Sequence, residues 1–190
     1  MRHRVLRPLI IGLALVAGLA VAGCGNKEEV RLHAETEGPY IDFGPVKYQV
    51  QMSRELNPAD AEDRYYLKGL PEGTTKLSPE QVWFGVWVRA ENESDAPVPA
   101  VRDFEITDSA EKVFRPVPLD PNANPFVYVP GTIPAGELIP AADTPPSDGP
   151  IQGSLLLFKL DLASYQNRPL ELHLKSPQNP REVATISLDL

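Results

Sequence analysis

The chain has little of what enzymes and metal carriers usually use. Its 190 residues include one cysteine, three histidines and two methionines. A lone thiol cannot close an internal disulfide, so a folded domain here is stabilised by burial rather than by cross-links. His3, His33 and His173 are accompanied by no H-E-x-x-H, G-x-S-x-G or methionine-rich run. The usual signatures of zinc hydrolases, serine hydrolases and copper carriers are thereby excluded. Phosphate-binding glycine loops and basic aromatic patches are missing too. Positive charge is scarce, with 18 Lys and Arg against 26 Asp and Glu, a balance that repels nucleic acid and anionic headgroups. Long apolar runs are limited to Leu9–Gly23, which falls short of the roughly 20 residues a helix needs to cross a bilayer.

What is present begins with that run. Arg2, Arg4 and Arg7 precede it, and small residues close it, as in a secretory signal. The chain then reads Val21, Ala22, Gly23, Cys24, which resembles the bacterial lipobox. The resemblance implies cleavage between Gly23 and Cys24, diacylglycerol on the Cys24 thiol and a further acyl chain on the new amine. Each buried methylene contributes about 0.8 kcal/mol, and two chains suffice for stable anchoring. Losing the three arginines leaves 15 basic against 26 acidic residues, a net charge of −11. Gly25–Gly38 is polar and without hydrophobic period, so residues 24–39 are expected to be a lipidated cysteine with a flexible tether. The expected boundaries are therefore 1–23 for the signal, 24–39 for the tether and 40–190 for one domain.

From Tyr40 onward apolar and polar residues alternate. Tyr48, Val50 and Met52 form one such series, Leu170, Leu172 and Leu174 a second, and Ala184, Ile186 and Leu188 a third. A period of two marks strands with one dry and one wet face. Val82–Ala90 and Ser154–Leu160 are apolar on both faces and read as central strands. Phe104–Thr107 and Val113–Pro116 flank the polar turn "DSAEK" and read as a hairpin. With 21 prolines in the chain, long helices are not expected. One short helix is, over Pro58–Lys68, with Asn57 as cap and Asp60, Glu62 and Asp63 at its positive end.

"VWFGVWVRAENESDAPV", "FEITDSAEKVFRPV", "GSLLLFKL" and "LELHLKS" together resemble the telokin-like, immunoglobulin-like domain of many bacterial lipoproteins. The resemblance implies an all-β, immunoglobulin-like antiparallel sandwich without known enzymatic activity. The inserted helix and the proline-rich Pro130–Pro150 are departures from that pattern.

Few residues in this frame suggest chemistry. His173 is expected to point outward from its strand into solvent. Asp120, Asn122 and Asn124 occupy positions 1, 3 and 5 of a calcium-loop pattern, but Pro125 and Gly131 stand where its glycine and glutamate belong. An Asx-turn loop is the expectation there, and no metal or other cofactor is. Asn92-Glu93-Ser94 is a glycosylation sequon in form only. Trp83 and Trp87 share one face of their strand. Covered by the helix with Tyr65 and Tyr66 they would make a second small core, and uncovered they would make a contact face. The covered arrangement is expected. Function is then expected to be that of a membrane-anchored extracytoplasmic lipoprotein, a non-enzymatic binding or accessory domain with an envelope protein as partner. A structural spacer and a calcium-dependent binding module are the alternatives.

Overall fold

A computed structural model of the chain describes residues 31–179 and 181–188; Gly23, Cys24 and the signal segment lie outside them. The first half contributes β1 (His33–Ala34), β2 (Ile41–Phe43), β3 (Val46–Leu56), α1 (Asp63–Tyr66), β4 (Gln81–Asn92), β5 (Val98–Pro99) and β6 (Asp103–Thr107). The second half contributes β7 (Val113–Phe114), β8 (Thr132–Ile133), β9 (Leu138–Ile139), α2 (Pro145–Asp148), β10 (Ser154–Asp161), β11 (Leu170–Lys175) and β12 (Val183–Leu188).

These strands form an antiparallel β-sandwich. Sheet I has the order β1-β12-β11-β6-β7, and sheet II the order β10-β4-β3-β2. Seven strands carry the sandwich: β3, β4, β6, β7, β10, β11 and β12. The second of these lies between the first and fifth, and the sixth lies between the third and seventh. Immunoglobulin-like sandwiches share those two neighbour relations, while the fourth strand, β7, here lies beside β6 and not beside β10. In the β2–β3 turn Gly44 has φ +65°, a left-handed conformation that glycine adopts without steric cost.

The alternation seen in the sequence lands on the main core. Leu170, Leu172 and Leu174 of β11 and Ala184, Ile186 and Leu188 of β12 are buried. Leu172 stands opposite Ile186 on one side and Ile106 on the other. They meet Phe84, Val86 and Val88 of β4 and Tyr48 and Val50 of β3. The phase fails at one place. The register of β3 against β4 shifts between Val50 and Met52, so an extra residue turns Met52 to the other face, where it is 39% exposed. Residues 31–39 also differ from expectation. Instead of a free tether, Ala34 packs into the core, Thr185 N–H donates to Leu32 O at 2.9 Å, and β1 pairs with β12 in parallel. Two apolar residues and backbone pairing suffice to dock this strip, too short a pattern to read as a period.

The helix is shorter than expected, four residues instead of eleven. Asn57 Oδ1 accepts from Ala59 N–H, and Asp60 Oδ1 accepts from Glu62 and Asp63 N–H, at 2.8–3.1 Å. Such local bonds compete with helical ones. Asp63 does not complement a helix dipole in solvent. It is buried, pairs with Arg54 Nη2 at 2.6 Å and accepts from Asn57 N–H at 2.8 Å. A second short helix, α2, lies within the proline-rich segment. Thr144 and Ser147 form its capping box, with Pro145 and Pro146 between them in the first turn.

Leu172→Ala and Ile186→Ala should each destabilise the domain by about 2–4 kcal/mol, whereas Val183→Ala on the outer face should stay within about 0.5 kcal/mol. Urea unfolding checks this, and core losses no larger than the Val183 control would place the face assignment on the wrong side.

Asp63 generates a pH expectation. Burial works against its charge, but the Arg54 guanidinium and the Asn57 N–H outweigh that and hold its pKa below the ordinary aspartate value. A carboxylate lowered in the folded state stabilises it above the unfolded pKa of about 3.9, and that stabilisation is lost as pH falls through the folded value. Asp63→Asn should therefore cost about 1–3 kcal/mol at pH 7, and its gap to the parent should close below about pH 4. Denaturant unfolding across pH measures both curves; parallel curves would contradict the assignment.

Candidate functional site

The outer face of sheet II carries an apolar patch around its two indoles. Trp83, Trp87, Leu155 and Leu157 lie there under Leu56, Tyr66 and Leu119 as a second core. The indoles are 1% and 0% exposed, so Trp83 and Trp87 are not a contact face. The physical reason is the cover that the β3–β4 insertion and the 115–130 segment provide. Tyr66 meets Trp87 edge-on with ring centroids 5.0 Å apart, and the Arg54 guanidinium lies 5.4 Å over the same indole. Tyr65, expected to share the covering, is exposed and stacks against Lys68 instead. Gly85 is required under the indole, because a Cβ there would stand 2.8 Å from the Trp87 ring.

The Asp120 loop belongs to this cover. Asp120 Oδ1 accepts from Asn122 N–H at 2.9 Å, an Asx turn. Asn124 is fully buried and points elsewhere. Its Nδ2 donates to Tyr66 O at 2.9 Å and Lys68 O at 3.1 Å, and its Oδ1 accepts from Phe126 N–H at 3.0 Å. Its N–H still donates to Asp120 O at 2.9 Å, but its side chain is turned away and is a clasp between insertion and loop. Asn92 is a second clasp, donating to Ala96 O, Ile133 O and Pro134 O. Its amide is buried and fully engaged. Among the described residues no group of three or more His, Cys, Asp or Glu is arranged to hold a metal.

His173 points outward as its strand phase requires, but it is not simply solvated. Its Nε2 lies 2.7 Å from Thr107 Oγ1 and its Nδ1 3.2 Å from Thr185 Oγ1. The ring knits β6, β11 and β12 across their polar face. His33 pairs in register with Thr185.

One concave surface was not foreseen. After β7 the chain leaves sheet I and runs along the free edge of β10, where Val117 N–H donates to Leu157 O at 2.7 Å. It returns through Phe126–Tyr128, with Leu155 N–H donating to Phe126 O and Tyr128 N–H to Leu155 O, at 2.6 and 2.8 Å. Pro116 and Pro118 flank Val117 and lack donors, so the outgoing arm grips β10 at one point only. Between the two arms and the start of β6 lies a trough of about 440 Å³. Val127, Tyr128 and Pro130 form one wall, and Arg102, Asp103 and Arg115 its rim. A second depression of about 400 Å³ shares Arg102 and Asp103 and runs on to Ser176 and Pro177. The clue available in the sequence was "RPVP" followed by "FVYVP", two proline-punctuated extended stretches.

The rim is electrostatically uneven. Arg115 pairs with Asp103 and Glu105, each at 3.3 Å, and Lys175 with Glu105 at 2.8 Å. Arg102 is exposed and makes no hydrogen bond or ion pair with another described residue. Its position is nevertheless set by its neighbour. Val101 N–H donates to the Tyr48 hydroxyl at 2.8 Å, and the Tyr128 hydroxyl donates to Val101 O at 3.0 Å. Burial pushes the Tyr48 phenol up to about 12 and the Tyr128 phenol well above its ordinary value. Both stay neutral, so the clamp on the Val101 peptide is insensitive to physiological pH.

No protein-family model matches the chain, and no curated protein matches it. Solved structures of similar shape include the yjhA protein of Bacillus subtilis, 11% identical, covering 82% of this chain and 99% of that one with a TM-score of 0.48. A candidate lipoprotein of Bacillus subtilis, ycdA, is 13% identical with a TM-score of 0.48; 82% of this chain is covered, but only 39% of ycdA. An uncharacterised β-sandwich protein from Clostridium difficile is 10% identical, with 82% and 95% covered and a TM-score of 0.44.

Proposed function

We propose that this chain is a lipoprotein anchored on the extracytoplasmic face of the cell membrane. Its β-sandwich is a non-enzymatic accessory domain that offers the Arg102 trough to an envelope protein. The anchor rests on the Val21–Cys24 lipobox behind a basic and apolar leader. It accords with the described residues having no helix long and apolar enough to cross a membrane. The binding role is carried by one observation, an open, mostly apolar trough whose rim holds an arginine that pairs with no other described residue. Kinship with the telokin-like lipoprotein domains belongs to the same proposal, supported by the strand connectivity.

Anchoring and folding together limit where that trough operates. Among the described residues backbone pairing is present from Arg31, whose carbonyl accepts from Asp42 N–H at 2.9 Å, and the chain from Cys24 to there spans at most about 3.3–3.6 Å per residue. The domain would then work within a few nanometres of the headgroups. Its acidic surface discourages it from lying flat on anionic lipid.

Two measurements test this. Cys24→Ser should leave the fold intact and move the protein out of the membrane fraction; serine protein that pellets like the parent would refute the anchor. A photo-crosslinking residue at Val129, exposed beside the trough, should give a discrete adduct in intact cells. The same residue at Val183, on the outer face of β12, should give none. An inert spacer would give no adduct at either position, and that result would sink the accessory role.

A further inference from the structure

Building on that accessory role, we infer that the trough docks an extended, apolar peptide segment of the partner whose carboxylate, from a side chain or the chain terminus, is held by Arg102.

Shape argues for an extended occupant. The two depressions meet at Arg102 and Asp103, so the concave surface is a line of two troughs and not one enclosed chamber. A compact small ligand would fill one half and leave the other empty. A peptide strand can occupy both and pass the arginine at its midpoint. The outer walls contain Pro116, Pro118 and Pro130, which cannot donate backbone hydrogen bonds. An occupant is therefore not zipped onto these arms as an added strand. It is recognised by apolar packing against Val127, Tyr128 and the proline rings, plus a charge contact.

Charge selects the carboxylate. The chain carries a net −8, so an acidic segment meets general repulsion and needs a specific cation. Arg115 and Lys175 are already satisfied by Asp103 and Glu105. Among the described residues none compensates the Arg102 guanidinium, and a guanidinium fork matches one carboxylate with two parallel hydrogen bonds. Its backbone is held in advance by the Tyr48 and Tyr128 clamp on Val101, which lowers the ordering cost of binding. The acidic surround turns away segments that place a carboxylate elsewhere, so the arrangement rewards one charge in one register.

The test uses the full-length chain in detergent and a random library of linear peptides as probe. Selected binders should combine apolar residues with an acidic group. The strongest is then synthesised as the C-terminal acid, the C-terminal amide, and with each Asp or Glu changed to its amide. Loss in one of these forms identifies whether the carboxylate is terminal or side-chain. Arg102→Gln should weaken binding by about tenfold or more, while Arg64→Gln on the exposed side of α1 should not change it. Binders without acidic enrichment, or affinity unaltered by Arg102→Gln, would overturn the proposal. So would concentration-dependent self-association that Arg102→Gln abolishes, since that gives the trough to a second copy of the chain. A Val129 adduct that persists in Arg102→Gln refutes the carboxylate contact and leaves the accessory role standing; no adduct in the parent removes that role itself.

Discussion

Around Trp83 and Trp87 sheet II is dry on both faces, and the rest of the molecule is arranged around that constraint. In β4 the valines and Phe84 face the sandwich while Trp83 and Trp87 face the other way; β10 likewise turns Leu155 and Leu157 outward. An indole buries about 150–250 Å², which at about 25 cal/mol per Å² corresponds to roughly 4–6 kcal/mol. Two of them left bare would forfeit an amount comparable to a domain's net stability of about 5–15 kcal/mol. Extra chain is therefore recruited. The β3–β4 insertion lays Tyr66 over Trp87, and the excursion after β7 brings Leu119 and Phe126 to the same face.

Cover made of irregular chain needs its backbone polar groups satisfied, and single side chains do this. Asn124 takes up the carbonyls at the end of α1, and Asp63 joins the insertion to Arg54 in β3. Asn92 does the same for the loop that ends β4 and the strand near Ile133. Asp108 closes the β6–β7 turn by accepting from the Ala110 and Lys112 N–H groups at 3.0 Å. Each is a short polar side chain, buried and paired, that fixes where a loop crosses the sheet. The excursion that covers the indoles also pairs with the β10 edge at Leu155 and Leu157. The trough is what remains open between its outgoing and returning arms, so the candidate site follows from the covering of sheet II.

Much of the sandwich was legible because strand periodicity is local. Leu170–Leu174, Ala184–Leu188, the β6–β7 hairpin and the two-faced central strands all lie where alternation put them, and the burial of Trp83 and Trp87 followed from the same pattern. Met52 was misplaced because a bulge leaves no compositional trace. The insertion was read as a longer helix because Asn57, Asp60 and Asp63 are as well suited to capping as to the local turns and the Arg54 pair they actually make. Of the site, only scattered members could be named. Arg102 acquires meaning from Val101, and Val101 from two tyrosines 53 residues behind and 27 ahead; no window of sequence contains that relation. Asn124 was noticed for its spacing to Asp120, whereas its partners lie 58 and 56 residues away.

The central claim is that sheet II is dry on both sides around its two indoles, and the two tryptophans are the chain's only ones, so they report on it without labels. Emission spectra with iodide titration in native buffer address it directly. The account predicts blue-shifted emission and little quenching, with red shift and ready quenching appearing only on unfolding in urea. Red-shifted emission with free iodide quenching of the folded protein would contradict it.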